Sequence, residues 1–205
     1  DGNPGQGRLT MGAIPTVGPY WLPGLLTRFL RRFPNVEVQL REDVTAELIS
    51  ALHQGELDLA LVALPIEDAS LESLPLWSER LQVALPKGHR LVKQKAIRLA
   101  DLEAEPFILL SDMHCLSDQV VSYCQAKFVP KIACRCVQLM TIQQMIGLGL
   151  GVSLLPECAC QPALYKQIVY RRLTGTEPTR SIGAVWHRHH HLSPNVKALL
   201  EMTGR

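Results

Sequence analysis

Apolar and polar positions in the first third of the chain follow two different periods. Period-two alternation predicts strands at Arg8–Ile14 and Val36–Arg41, and an unbroken apolar run predicts a buried strand at Leu57–Ala63. Between these strands, apolar residues at helical spacing predict helices at Tyr20–Phe33 and Thr45–Gln54. This alternation of strands and helices predicts a parallel α/β sheet with right-handed crossovers.

The rest of the chain predicts a second set of strands and helices. Two strands joined by a turn are predicted at Leu71–Trp77 and Arg80–Leu85. The later elements are strands at Phe107–Leu110, Ile132–Val137, Gly151–Leu155 and Arg180–Trp186, and helices at Ser111–Cys124, Met140–Leu148 and Asn195–Met202. The predicted fold class is therefore α/β, with two Rossmann-like subdomains.

The order of these elements also predicts the bounds of the subdomains. Residues 1–7 are rich in Gly and Pro and are expected to be a linker remnant. We expect residues 8–82 with 183–205 to form the first subdomain, and residues 83–182 to form the second. Two crossover strands would connect them, and a cleft would lie between them at the carboxyl ends of strands.

Composition narrows the class of protein but not its activity. Hydrophobic residues make up 47% and charged residues 20% of the 205 positions, as in a folded globule. A formal net charge of +2 does not indicate a nucleic-acid surface, and no apolar segment reaches the roughly 20 residues of a membrane span. Six cysteines spread through α/β patterns indicate reduced thiols and a cytoplasmic protein.

Cys115 and Cys124 lie nine residues apart within the predicted helix Ser111–Cys124. Nine helical residues turn by about 900° and rise by roughly 13.5 Å, so the two thiols face opposite sides. A disulfide needs Cα atoms within about 7 Å of each other, so the two cysteines can bond only if the helix unwinds. The pair therefore predicts a two-state element that redox chemistry could switch.

Cys115 is the better placed of the two thiols to react. With Ser111 or Asp112 as the N-cap, Cys115 falls in the first helical turn, where backbone N–H groups and the helix dipole favour a thiolate. Peroxides oxidise such a thiolate to a sulfenic acid, and a second thiol such as Cys124 then condenses with it. The alternative interpretation is that both cysteines are small buried apolar residues.

Other cysteines and histidines raise a metal site as a further alternative, which we do not predict. Cys134 with Cys136, and Cys158 with Cys160, form two C-x-C pairs, whereas zinc sites usually have C-x2–4-C spacing. His187–His191, with the sequence HRHHH, falls in a polar loop that is expected to be solvated. At most it predicts a weak adventitious nickel or zinc site.

Two threonines and one glycine-rich segment are the remaining candidates for ligand binding. Thr16 and Thr45 are predicted at helix N-termini, where a hydroxyl either caps the helix or helps to bind a small polar ligand. Gly147–Gly151 precedes a predicted strand instead of following one, so a dinucleotide-binding loop is not predicted. Without a P-loop or a paired general acid and base, we expect no cofactor and no enzymatic activity.

Three stretches resemble the effector-binding domain of LysR-type transcriptional regulators: Leu9–Phe33, Gly55–Ala60 and Gly147–Pro156. Within that family, His114–Gln119 (HCLSDQ) followed by Cys124 resembles the members that sense hydrogen peroxide. The resemblance implies a periplasmic-binding-protein-like type 2 fold. It also implies an N-terminal winged-helix DNA-binding domain, which is absent from this chain.

The resemblance further implies a site and a mechanism. Cys115 would be the peroxidatic cysteine and Cys124 the resolving one. The peroxide pocket would be formed by Thr16, Thr45, His114 and Asp118. Oxidation would refold the segment between the cysteines and rearrange a homodimer or tetramer on promoter DNA, which would recruit RNA polymerase. A thioredoxin- or glutaredoxin-type reductant would reset the protein.

The chain also departs from these relatives. A position that is often basic is Ser117, which removes a charge near Cys115, and Cys134 and Cys136 could compete as resolving partners. The alternative function is a LysR-type domain that senses a small organic metabolite, with incidental cysteines. If the switch operates, we expect the face Leu116–Tyr123 to pack less tightly than the helix Tyr20–Phe33.

Overall fold

The computed structural model describes residues 4–203, and the chain divides into two compact units. The first unit takes the chain up to Ser78 and again from Ser181, and the second spans Glu79–Arg180. The predicted bounds lay a few residues away, after residue 82 and after residue 182. Part of the predicted linker, residues 1–3, lies outside the described residues.

Ten strands and five helices are named here in chain order. The strands are β1 (Gly7–Ala13), β2 (Val36–Glu42), β3 (Leu59–Leu64), β4 (Leu71–Pro86), β5 (Ala96–Ile97), β6 (Pro106–Leu110), β7 (Lys131–Cys136), β8 (Ser153–Pro156), β9 (Ile168–Leu173) and β10 (Thr179–His187). The helices are α1 (Gly18–Arg32), α2 (Thr45–His53), α3 (Cys115–Gln125), α4 (Leu139–Gly147) and α5 (Pro194–Thr203).

The first unit is built on β1, which pairs in parallel with β2 on one side and with β3 on the other. β10 joins β3 in an antiparallel pair, so the sheet is mixed. The LALVAL sequence of β3 is apolar throughout because that strand is almost fully buried. A Cβ on Gly12 would lie 2.6 Å from Leu48 Cδ2, so only glycine lets α2 pack this close to β1.

The second unit contains the second half of β4 together with β5 to β9, and it carries α3. β4 pairs antiparallel with both β8 and β9, and β9 pairs in parallel with β5. β6 and β7 form a separate parallel pair, and α3 is the crossover that connects them. Because β6 ends where the turn into α3 begins, the carboxyl end of this strand positions Cys115.

The prediction of two strands with a turn between Trp77 and Arg80 is wrong, because β4 runs without interruption. The intervening Glu79 is not a turn residue: it is 7% exposed and accepts hydrogen bonds from the guanidinium of Arg180, at 2.9 Å from Nε and 2.7 Å from Nη2. Glu79 also accepts from the backbone N–H of Cys158 at 3.0 Å. A buried ion pair therefore fastens the two ends of the second unit.

Two strands were not predicted at all. β9 carries the sequence IVYRRL, in which two arginines and a tyrosine break the apolar pattern. β5 has only two residues and depends on its pairing with β9. Within residues 4–203, no helix is both long and apolar enough to cross a membrane.

Candidate functional site

The turn between β6 and α3 sets the position of Cys115. The N–H of Ser111 donates to the carbonyl of Cys136 at 2.8 Å, which continues the pairing of β6 with β7. The N–H of His114 then donates to the carbonyl of Ser111 at 3.1 Å and closes a tight turn. Consequently His114 is the N-cap residue of α3, and the predicted cap at Ser111 or Asp112 is wrong.

Cys115 is the first residue of α3 and is half-buried. The backbone N–H groups at the start of a helix have no intrahelical acceptor, and the helix dipole places partial positive charge there. This is an environment that favours an anion such as a thiolate. The predicted placement of Cys115 in the first helical turn is confirmed.

Cys124 lies in the last turn of the same helix and is fully buried. Burial raises the pKa of this thiol from 9.0 to about 12, so it is protonated at neutral pH. All six cysteines fall within the described residues and are thiols. Because α3 is continuous from Cys115 to Gln125, the two cysteines are held roughly 13.5 Å apart along its axis.

His114 is 6% exposed and provides a proton acceptor next to Cys115. Burial lowers the pKa of the ring below 6.5, although a hydrogen bond with the backbone of Val137 acts in the opposite direction. Since Nε2 has no partner among the described residues, the bond to Val137 must use Nδ1. The imidazole is therefore neutral at pH 7, with the lone pair of Nε2 unused.

Two further buried polar atoms near Cys115 are unsatisfied. Ser111 Oγ and Gln119 Oε1, like His114 Nε2, have no hydrogen-bond partner within residues 4–203. Buried polar atoms are normally hydrogen-bonded, so three orphans within nine residues indicate a place for a small polar molecule. Gln119 was not predicted as a site residue, although it belongs to the HCLSDQ motif that carries the resemblance.

Arg135 on β7 also contacts this segment and was not predicted as a site residue. Its Nη1 lies 2.6 Å from Asp112 Oδ1, 3.0 Å from Ser117 Oγ and 3.2 Å from the carbonyl oxygen of Leu110. The guanidinium therefore supplies a positive charge beside Ser117, the position at which the family resemblance leads us to expect a basic residue. No local pattern signals this contact, because it depends on the pairing of β6 with β7.

The other predicted pocket residues are divided between the two units. Asp118 is exposed in the first turn of α3, four residues after His114. Thr16 and Thr45 belong to the first unit. The N-cap residues of α1 and α2 are Val17 and Val44, so neither threonine occupies the N-cap position. Thr45 Oγ1 is buried and has no partner in the described part of the chain.

The expectation that α3 packs loosely is not supported. Leu116, Ser117, Val120 and Cys124 are each at most 2% exposed. In comparison, α1 buries Gly18, Leu22, Leu25 and Phe29 over a longer helix. A cavity of ≈ 10 Å³ lies against Leu116, Ser117 and Val120, which is room for about one water molecule.

The histidines of the HRHHH segment lie close to His53, but they form no metal cluster with other side chains of the described residues. Within residues 4–203, no group of three or more His, Cys, Asp or Glu side chains is arranged to hold a metal ion. The rings of His53, His187, His189 and His190 do lie near one another, with centroids 4.2 Å apart for His187 and His190. His53 Nε2 is bonded to Asp68 Oδ2 at 2.9 Å.

Comparison with known proteins places this chain in a family. The LysR substrate binding domain matches residues 2–205. A probable hydrogen peroxide-inducible genes activator of Mycobacterium leprae is 32% identical over 207 residues, which cover all of this chain and 67% of the relative. The DNA-binding transcriptional dual regulator OxyR of Escherichia coli K12 is 34% identical over 183 residues, which cover 88% of this chain and 60% of the relative.

A solved structure supports the same assignment. The reduced form of the OxyR regulatory domain from Pseudomonas aeruginosa matches with a TM-score of 0.87 and 30% identity, covering 97% of each chain. The α/β fold is therefore the periplasmic-binding-protein-like type 2 fold of LysR-type regulatory domains. The chain belongs to the LysR substrate-binding domain family of transcriptional regulators, and its relatives include the peroxide regulator OxyR.

Proposed function

We propose that this domain is the sensing part of a peroxide-responsive transcriptional regulator and that Cys115 is the residue that reacts. One observation carries the proposal: Cys115 begins α3 beside three unsatisfied buried polar atoms, while Cys124 is held in the same helix. The proposal is also supported by the similarity of this chain to relatives that are named as activators of hydrogen peroxide-inducible genes. The redox chemistry and the roles of individual residues are part of the proposal.

The proposed reaction has two steps. The Cys115 thiolate attacks one oxygen of hydrogen peroxide, which gives Cys115 sulfenic acid and hydroxide. The Cys124 thiol, once α3 has unwound, attacks the sulfenic sulfur, which forms the disulfide and releases water. Two electrons pass from the two thiols to one peroxide, and a thioredoxin- or glutaredoxin-type dithiol later returns them.

Polar groups near Cys115 would position the peroxide. The neutral His114 Nε2 and Gln119 Oε1 are acceptors for the peroxide hydrogens, and Ser111 Oγ can both donate and accept. The family resemblance adds Thr16, Thr45 and Asp118 to the proposed set. No cofactor takes part, and the domain acts as a sensor and not as an enzyme.

The full-length protein would turn this local change into a transcriptional response. The chain spans 60–67% of the length of the two curated relatives, and one of these is named as a DNA-binding regulator. We propose a cytoplasmic homodimer or tetramer whose winged-helix domains hold promoter DNA. Refolding of α3 would change the packing of subunits and thereby contact with RNA polymerase.

Peptide mapping without reduction tests the proposal. After one equivalent of hydrogen peroxide, we expect a Cys115–Cys124 disulfide in the unmodified domain and in the Cys158→Ser control. The Cys115→Ser variant should form no disulfide to Cys124. A domain that is indifferent to peroxide but is stabilised against heat by a small organic anion would instead support the metabolite-sensing alternative.

A further inference from the structure

We propose that Cys134 and Cys136 form a dithiol site that binds a thiophilic metalloid, specifically a trivalent arsenical. The site is separate from the proposed peroxide chemistry and does not depend on it. In this C-x-C pair the two thiols are hydrogen-bonded to each other.

The pair is arranged by the strand on which it lies. Residues two apart on a strand point to the same face, so both thiols of β7 lie on one side. The two side chains are hydrogen-bonded to each other. Arg135, between them, points to the opposite face, where it contacts Asp112 and Ser117. Two sulfur atoms are therefore presented together without an intervening side chain.

The pair is also within reach of a ligand from solvent. Cys134 is half-buried and Cys136 is 9% exposed. In the described structure β7 pairs only with β6, so its other edge is not covered by a strand.

The other cysteines provide an internal contrast. The thiol of Cys158 donates a hydrogen bond to Glu79 Oε1 at 3.7 Å. The thiol of Cys160 donates one to the carbonyl oxygen of Pro156 at 3.4 Å. Burial raises the pKa of both thiols, to about 12 for Cys158. Cys115 and Cys124 are separated along α3. Cys158 and Cys160 thus contact protein oxygen atoms, and Cys115 and Cys124 lie at opposite ends of a helix.

Arsenic chemistry fits a site with two donors. An organoarsenic(III) oxide reacts with two thiols, forming two As–S bonds while the oxide leaves as water with both thiol protons. No electrons are transferred, and the arsenic stays trivalent. Zinc would require about four ligands, and the described residues contain no such cluster.

Occupancy of this pair would act close to the segment that precedes Cys115. The carbonyl of Cys136 accepts from the N–H of Ser111 at 2.8 Å, and the backbone of Val137 holds His114. A ligand that shifts the end of β7 therefore shifts the turn that positions α3. The regulator would have a second chemical input next to its first.

Titration of the reduced domain with phenylarsine oxide tests the site. We expect one equivalent to bind, two thiols to become unreactive towards Ellman's reagent, and dithiothreitol but not glutathione to reverse the binding. Loss of one sulfur removes chelation, so Cys134→Ser should weaken binding by about 100-fold. Cys158→Ser and Cys115→Ser should bind as the unmodified domain does.

Three results would overturn the proposal. These are the absence of tight binding by the unmodified domain, undiminished binding by Cys134→Ser, and mapping of the arsenic to other cysteines. Cys136 is buried, so its substitution could impair folding. The test therefore uses the substitution of the half-buried Cys134, and the melting temperature of each variant checks that it folds.

Discussion

At the scale of single residues, burial keeps both His114 and Cys124 uncharged near pH 7, although it shifts their pKa values in opposite directions. It lowers the pKa of the imidazole and raises the pKa of the thiol to about 12, because a low-dielectric environment disfavours charge in both cases. Both groups are therefore neutral near pH 7. In the proposed chemistry, His114 accepts a hydrogen bond, and Cys124 can react only after α3 has unwound.

The difference between the two cysteines predicts their rates of alkylation. A rise in pKa from 9.0 to about 12 lowers the thiolate fraction of Cys124 by about a thousandfold at neutral pH. Timed iodoacetamide labelling followed by mass spectrometry should modify Cys115 long before Cys124, and urea should abolish the difference. Equal rates in the folded domain would show that α3 does not protect Cys124.

The lowered pKa of His114 predicts a pH dependence of stability. Between about 6.5 and the lower folded pKa, the unfolded chain binds more protons than the folded one. The free energy of unfolding should therefore fall as the pH drops below 6.5. His114→Gln should make this fall shallower in urea titrations at pH 7, 6 and 5. Identical slopes for the variant and the unmodified domain would contradict the assignment.

At the scale of elements, α3 is the structure that the disulfide must break. The burial of Leu116, Val120 and Cys124 means that the reduced helix resists unwinding. The stability of α3 should therefore set the reduction potential of the Cys115–Cys124 pair. Any change that stabilises α3 favours the dithiol and makes the potential less negative.

Ser122 tests this link, because it is exposed on α3. Alanine and glycine differ by about 1 kcal/mol in helix propensity, which corresponds to about 20 mV for a two-electron couple. Ser122→Ala should have a reduction potential about 20 mV less negative than Ser122→Gly in a glutathione-buffered titration.

A substitution on another helix provides the control for that comparison. A Cβ at Gly24 of α1 would meet no atom within 4 Å, so Gly24→Ala should stabilise α1 without a clash. If α1 is intact in both redox states, Gly24→Ala raises the midpoint of urea unfolding and leaves the potential unchanged. Equal potentials for the two Ser122 variants would mean that α3 survives oxidation.

At the scale of the whole molecule, the ion pair Glu79–Arg180 marks the ends of the second unit. Arg180 is 2% exposed and Glu79 is 7% exposed. Glu79→Gln leaves a buried cation uncompensated and should cost about 3–5 kcal/mol of unfolding free energy. Arg98→Gln, which breaks the exposed pair with Asp101, should change urea unfolding little. A small effect of Glu79→Gln would show that the pair does not stabilise the unit.

Secondary structure was predicted best where the apolar residues follow a single period, either that of a strand or that of a helix. The β1 to β3 segments and α1 and α2 were predicted within a few residues, because their apolar spacing reflects burial in one unit. β4 was divided in error, because the charge of Glu79 reads as solvent-exposed until Arg180 is brought to it from 101 residues away. Arg135 was missed for the same reason, since strand pairing creates its contact.

In the candidate site, too, local sequence predicted some features and long-range strand pairing determined others. Cys115, His114 and Gln119 share one short motif, so their proximity could be read from the sequence. The N-cap was misassigned, because the bond from Ser111 to Cys136 extends the strand and delays the start of the helix. Long-range pairing therefore decided the start of the helix, whereas the local motif decided which residues surround Cys115.

Hydrogen exchange of the α3 amides in fully oxidised protein tests the central claim most directly. When peptide mapping shows complete Cys115–Cys124 bonding, the amides of Cys115–Gln125 should lose their protection, while those of β1 and β3 keep theirs. Retained protection of α3 alongside the complete disulfide would contradict the account, because the two thiols could then meet without the loss of a helix.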